Sequence, residues 1–83
     1  MPHTLLVAGA AGFIGANFAH HMVALGHQVV SLDKLTYAGN LENLASLTGH
    51  DRHRFQEGSI NDSALLRDLL HRHRPDHVVN FAA

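Results

Sequence analysis

"LLVAGAAGFIGANF", residues 5–18, places Gly9, Gly12 and Gly15 at three-residue intervals between an apolar run and a segment with helical periodicity. Glycines so spaced also mark ordinary turns, helix ends and close packing, so the spacing alone does not separate a phosphate cradle from a tight corner. The flanks carry the decision. Upstream, Thr4 to Ala8 is short, apolar and ends at glycine, which predicts a strand buried on both faces of a parallel sheet. Downstream, Ile14, Phe18, Met22 and Leu25 recur at intervals of four and three, which predicts an amphipathic helix over Phe13 to Leu25 with these residues as its apolar stripe. Gly26 follows where a left-handed C-terminal cap sits. Gln28 to Leu32, "QVVSL", is a second strand candidate that stops at Asp33. A strand, turn, helix, strand unit is complete within about thirty residues.

Outward from that unit, "NLENLASL" sets Leu41, Leu44 and Leu47 three apart with Asn40 as an N-cap, predicting a short helix. Arg54 to Glu57 reads as a third strand and Gly58 to Asn61 as a loop. From Asp62 the pairs Leu65, Leu66 and Leu69, Leu70 share one helical stripe, with Asn61 or Asp62 able to cap its start and Pro75 marking its end. His77 to Phe81, "HVVNF", is a fourth strand. Strands alternating with helices through right-handed crossovers give an α/β fold. It is the N-terminal half of a Rossmann-type, doubly wound parallel sheet (β-α-β-α-β-α-β) with strand order 3-2-1-4. Residues 1–83 then form a partial dinucleotide-binding domain, with the rest of the domain and the substrate domain absent and the fourth strand left as an apolar edge.

Composition narrows the classes. Apolar residues make up 46% and charged residues 16%, a globular balance, and no apolar run reaches the ~20 residues of a membrane span. A net charge of -1 gives no general attraction to nucleic acid or anionic lipid, so a phosphate must be held by local geometry. The chain has no cysteine, which excludes disulfides and thiolate metal sites, and its start lacks the pattern of a signal peptide; a cytoplasmic location is expected.

In a turn of this kind the first glycine allows the sharp bend, the second removes a side chain where a pyrophosphate approaches, and the third lets helix and strand pack closely. Gly9, Gly12 and Gly15 fill those places. The N–H groups opening the helix at Phe13 carry partial positive charge, so no lysine or arginine is needed, and residues 1–33 contain none. Asp33 lies eighteen residues after Gly15, at the end of the second strand, where a carboxylate accepts from both hydroxyls of an adenosine ribose. An ATP-type loop would need GxxxxGK, and Lys34 is the only lysine. A carboxylate at Asp33 repels a 2'-phosphate, which favours NAD over NADP, with Lys34 as the opposing charge.

At "DKLTYAGNLENL", residues 33–44, the chain resembles the nucleotide-sugar branch of the extended short-chain dehydrogenases, and within it the dTDP-glucose 4,6-dehydratases. "GAAGFIG" suits the whole superfamily, the unbroken run Asp33 to Asn40 is far more distinctive, and "RPDHVVNFAA" is similar to the family's fourth strand. The resemblance covers the whole chain. It implies that Gly9, Gly12, Phe13, Ile14 and Gly15 line the pyrophosphate of NAD, and that Asp33, Lys34, Leu35 and Thr36 hold the adenosine ribose and its surroundings. It places Ser59 and Ile60 at the adenine, and Phe81, Ala82 and Ala83 beneath the cofactor toward the nicotinamide ribose. Three residues depart from the pattern. Ala8 stands where Thr is usual, Ser59 where an adenine-contacting Asp is usual, and Asn80 where His is common. The implied reaction takes hydride from sugar C4 onto NAD, loses water across C5 and C6, and returns hydride to C6. The implied partner is a nucleotide-sugar substrate of a longer parent, itself open to homo-oligomer formation.

The family's catalytic pair is a tyrosine and a lysine four residues apart. Tyr37 and Lys34, the only ones here, stand in reverse order in the adenosine segment, so no catalytic residue is assigned. Two readings remain beside the dehydratase: another extended short-chain enzyme acting on UDP- or GDP-sugars, such as an epimerase, and a non-catalytic dinucleotide-binding piece. Nine histidines raise the question of metal, but the pairs His20/His21, His50/His53 and His71/His73 lack the i, i+4 spacing of helical metal pairs and read as solvated side chains, so no metal is assigned. "LRDLLHRHRP" reads as the polar side of a helix rather than a nucleic-acid site. Phe13, Phe18, Phe55 and Phe81 read as core, with Phe13 and Phe81 beside the cofactor path.

Overall fold

Leu5, Leu6, Val7 and Ala8 are all buried, because the strand that carries them, β1 (Thr4–Ala8), lies inside the sheet with helices on both faces. The computed structural model describes residues 2–35 and 41–81. After β1 come α1 (Phe13–Ala24), β2 (Gln28–Asp33), a 3-10 helix (Leu41–Leu47), β3 (His53–Glu57), α2 (Ser63–His73) and β4 (His77–Asn80). The strands are parallel and ordered β3-β2-β1-β4, as the alternating pattern predicts. Leu6 stands opposite Val30 of β2 and Val78 of β4. Asp76 sets the β4 register by a reciprocal clamp: its carboxylate accepts from the Thr4 N–H at 2.8 Å, and its own N–H donates to the Thr4 carbonyl at 2.7 Å.

Side chains alternate across the strands, so the sheet divides the core in two. Leu5, Val7 and Val29 pack with Ala16, Ala19 and Val23 of α1 and with Leu44 and Leu47 of the 3-10 helix. On the other face Leu6, Ala8, Val30 and Leu32 pack with Leu69 of α2. Leucines three apart suit a 3-10 helix, whose side chains align every third residue. Its proposed cap, Asn40, lies outside the described residues. Asp62 caps α2 by accepting from the Leu65 N–H at 3.1 Å, Arg74 ends it in the left-handed conformation, and Gly26 turns the chain after α1 with φ 96°.

The stripe expected on α1 is not the face it buries. Gly15, Ala16, Ala19 and Val23 meet the sheet, Phe18 and Met22 are half-buried, and Ile14 and Leu25 are 68% and 59% exposed. Close approach explains the difference. A Cβ on Gly15 would stand 2.2 Å from the Gly9 carbonyl oxygen, so only small residues fit against the strand and the bulky ones flank the contact. Phe13, at 80% exposure, is not a core residue either, and Phe81 is 38% exposed. β3 begins one residue earlier than expected, at His53, which is buried rather than solvated: its Nε2 and the Ser31 hydroxyl are 2.7 Å apart across β3 and β2. Among the described residues, no helix is long and apolar enough to cross a membrane.

Candidate functional site

Hydrogen bonds between chain segments align the C-terminal ends of all four strands along one edge. The Gly9 N–H donates to the Leu32 carbonyl at 2.8 Å, Gly58 N–H to that of Asp33 at 3.0 Å, and Phe81 N–H to that of Ala8 at 2.8 Å. The carboxyl-end edge of an open parallel sheet is where such folds hold ligands. Gly9 makes the bend after β1 with φ 71°, in the left-handed region where a Cβ is penalised. Gly12 is the N-cap of α1 in extended backbone, with no side-chain cap and no acidic residue in the first turn. Nothing in the first turn of α1 therefore offsets the positive end of the helix. Phe13 and Ile14 open the helix and face outward.

Asp33 is 8% exposed at the end of β2. Its Oδ2 accepts from the Ala11 N–H in the glycine turn at 2.9 Å and its Oδ1 from the Leu35 N–H at 2.7 Å. Two backbone donors orient the carboxylate, and with about four lone-pair sites it keeps acceptor capacity for a ligand. Leu35 is half-buried with φ 56°, a left-handed turn closed by its bond to Asp33, while Lys34 between them is exposed. Thr36 lies outside the described residues, as do Ala82 and Ala83.

Ser59 and Ile60 follow the end of β3. The Ser59 hydroxyl accepts from the Asn61 N–H at 3.0 Å and its carbonyl from the Asp62 N–H at 3.0 Å, making a local turn. Ile60 is half-buried against the core on the α2 side. Phe81 packs its ring on Phe18 of α1, with centroids 5.4 Å apart. Gly9, Gly12, Gly15, Asp33 and Leu35 are thus gathered into one connected turn, and Ser59, Ile60 and Phe81 stand at the ends of the flanking strands.

One participant carried no signal in the sequence. Asn43, on the 3-10 helix, donates from Nδ2 to the Ala11 carbonyl at 2.8 Å, on the far side of the turn from Asp33. His20 of α1 donates from Nε2 to the Asn43 carbonyl at 2.8 Å, so it too serves structure. Among the described residues, no group of three or more His, Cys, Asp or Glu is placed to hold a metal. Burial pushes the His53 imidazole below its ordinary range, with a backbone hydrogen bond at Leu47 opposing the shift; burial, then Arg72, does the same to His73.

A four-stranded parallel sheet in this order, with a glycine turn over the end of its first strand, is the N-terminal half of a Rossmann-like fold. Within that class the chain belongs to the GDP-mannose 4,6 dehydratase family, whose sequence profile matches residues 6–83. It is 58% identical over 80 residues to the dTDP-glucose 4,6-dehydratase of Xanthomonas campestris pv. campestris, covering 96% of this chain and 23% of that protein. The fold superposes on the Bacillus anthracis dTDP-glucose 4,6-dehydratase, solved in complex with NAD, with a TM-score of 0.94 and 38% identity, over 98% of this chain and 27% of that one. A dTDP-glucose 4,6-dehydratase from Streptomyces venezuelae, also solved with NAD, gives 0.84 and 44% over 96% and 26%. The chain thus spans about a quarter of the length of the relatives it matches.

Proposed function

We propose that residues 1–83 are the NAD-binding N-terminal part of a nucleotide-sugar dehydratase that converts dTDP-glucose to its 4-keto-6-deoxy product. The observation that carries this is the Asp33 carboxylate, buried at the end of β2 and aimed by the Ala11 and Leu35 N–H groups beside the uncapped start of α1. The residues present fit the cofactor: the first turn of α1 holds no acidic side chain, and Gly15 brings α1 so near the strand that a Cβ would collide with Gly9. Gly9, Gly12, Phe13, Ile14 and Gly15 would line the pyrophosphate through backbone N–H groups. Asp33, with Lys34, Leu35 and Thr36 around it, would take the adenosine ribose. Ser59 and Ile60 would border the adenine, and Phe81, Ala82 and Ala83 would lie along the nicotinamide side.

Bound there, NAD supplies a reversible hydride acceptor. This chain's own residues bind and orient it, and no acid or base is assigned among them. The preference for dTDP-glucose over other sugar nucleotides rests on the 58% identity to the Xanthomonas relative and on the run "DKLTYAGN". A cytoplasmic setting belongs to the same reading.

The test is a titration of NAD into the isotope-labelled chain followed by amide NMR. Shifts concentrated at Gly9 to Gly15, Asp33 and Leu35 are expected, and Asp33→Ala should weaken binding by roughly 1–3 kcal/mol, the scale of hydrogen bonds to a charged group. Unchanged affinity in Asp33→Ala would remove that residue from the ribose site.

A further inference from the structure

We propose that Asn43 is a positioning residue for the phosphate cradle: its side-chain amide holds the glycine turn, and through Ala11 the Asp33 carboxylate, in the geometry a dinucleotide requires. The inference deepens the cofactor reading above and rests on it.

Ala11 is pinned from both sides. Its N–H donates to Asp33 Oδ2 at 2.9 Å, and its carbonyl accepts from Asn43 Nδ2 at 2.8 Å. The acceptor is a carbonyl, so the amide nitrogen must face it, which settles the orientation of the Asn43 side chain. The Ala11–Gly12 peptide is planar and trans, so holding its C=O toward Asn43 turns the Gly12 N–H the opposite way. That N–H makes only a long 3.3 Å bond to the Gly9 carbonyl, whereas the Gly12 carbonyl starts α1 by accepting from Ala16 at 2.9 Å. The Asn43 bond therefore sets the attitude of the peptide that leads into the helix N-terminus.

Asn43 is itself anchored. His20 Nε2 lies 2.8 Å from its backbone carbonyl and must carry the proton there, which leaves Nδ1 to accept from the Ser46 hydroxyl at 3.4 Å. The 3-10 helix is thus tied to α1 at one point and to the glycine turn at another. The arrangement joins four separate segments: α1, the glycine turn, the end of β2 and the 3-10 helix. The acceptor is the carbonyl of buried Ala11, so removing the amide costs stability as well as geometry, and positioning is read from the turn and from cofactor choice rather than from melting alone.

The experiment compares the wild-type chain with Asn43→Ala and with Asn43→Leu, which keeps the approximate size but offers no donor to the Ala11 carbonyl and adds no charge. Melting is followed by circular dichroism, amide shifts are recorded before any ligand is added, and NAD and NADP are then titrated. Both variants should melt somewhat below wild type yet remain folded, move the Ala11 and Leu35 amide resonances without ligand, bind NAD about three- to tenfold more weakly, and lose part of the preference for NAD over NADP. A merely structural role would lower the melting temperature and leave the NAD-to-NADP ratio alone. Unchanged NAD affinity in both variants overturns the proposal, as does an unmoved Ala11 amide. If the wild-type chain itself fails to bind NAD, the cofactor reading falls and with it the cradle that Asn43 is proposed to position.

Discussion

Asp33 shows how one side chain serves structure and ligand together. A carboxylate at 8% exposure is costly without hydrogen bonds, and the two N–H groups that offset the cost also aim it along the strand-end edge. Ser59 is the contrasting case, a neutral side chain where the family pattern has a carboxylate. Its hydroxyl accepts from the Asn61 N–H, and an aspartate can accept the same bond, so Ser59→Asp should leave the turn intact and free a second oxygen. The expected outcome is NAD binding tighter by about 1 kcal/mol, measured by calorimetry or NMR titration, with no gain for a hypoxanthine analogue that lacks the adenine amino group. An equal gain for both nucleotides would remove the adenine from the explanation. His53 and Asn43 show what residue-level reading missed. Neither has a spacing or neighbour in the sequence that separates a buried or bridging role from a solvated one.

At the scale of elements, α1 is the instructive piece. Its existence, its start after Gly12 and its cap at Gly26 were legible from periodicity and glycine placement. Its buried face was not. Large apolar residues make the stronger pattern in the sequence, yet the contact with β1 is too close for them, and the small residues Gly15, Ala16 and Ala19 take it. Gly15→Ala tests this directly: with a Cβ 2.2 Å from the Gly9 carbonyl, helix and strand must part, at a cost of about 1–3 kcal/mol. Urea denaturation should show the loss. Ala24→Gly, at the exposed last residue of the same helix, should cost less than about 1 kcal/mol through propensity. Equal effects from the two substitutions would show that the close contact is not what selects glycine at position 15. α2 followed its pattern more closely, with Leu69 buried, Leu65 and Leu66 half-buried and its charged residues outward, including the Arg72–Asp68 pair, although Leu70 of the expected stripe is exposed.

Across the whole molecule, stability should depend on pH in a direction set by His53 and His73. Both are held below the ordinary histidine value of 6.5 in the fold, by burial first, so on acidification the unfolded chain binds protons before the folded one. Stability therefore rises with pH between the depressed folded values and 6.5, and falls as the solution is acidified through that window. The urea midpoint should be lower at pH 5.5 than at pH 7.5, and His53→Gln should flatten the dependence. An identical slope in the variant would exclude His53 as a source. The sheet also has unequal margins. β4 borders β1 on one side, and its Val78 is 51% exposed, in a chain that spans about a quarter of its relatives' length.

The order of strands, the glycine turn and the place of Asp33 could be read from the sequence alone, because each follows from local periodicity and from the few residues that tolerate a sharp bend. The tertiary structure alone decided which face of α1 is inward, that His53 sits buried against Ser31, and that Asn43 reaches the glycine turn from the 3-10 helix. These depend on distances between segments far apart in the chain: a helix set close to its strand, a histidine one strand away from a serine, and an amide thirty-two residues from the carbonyl it meets. Local pattern carries no information about such separations, since they are set by how closely the layers pack.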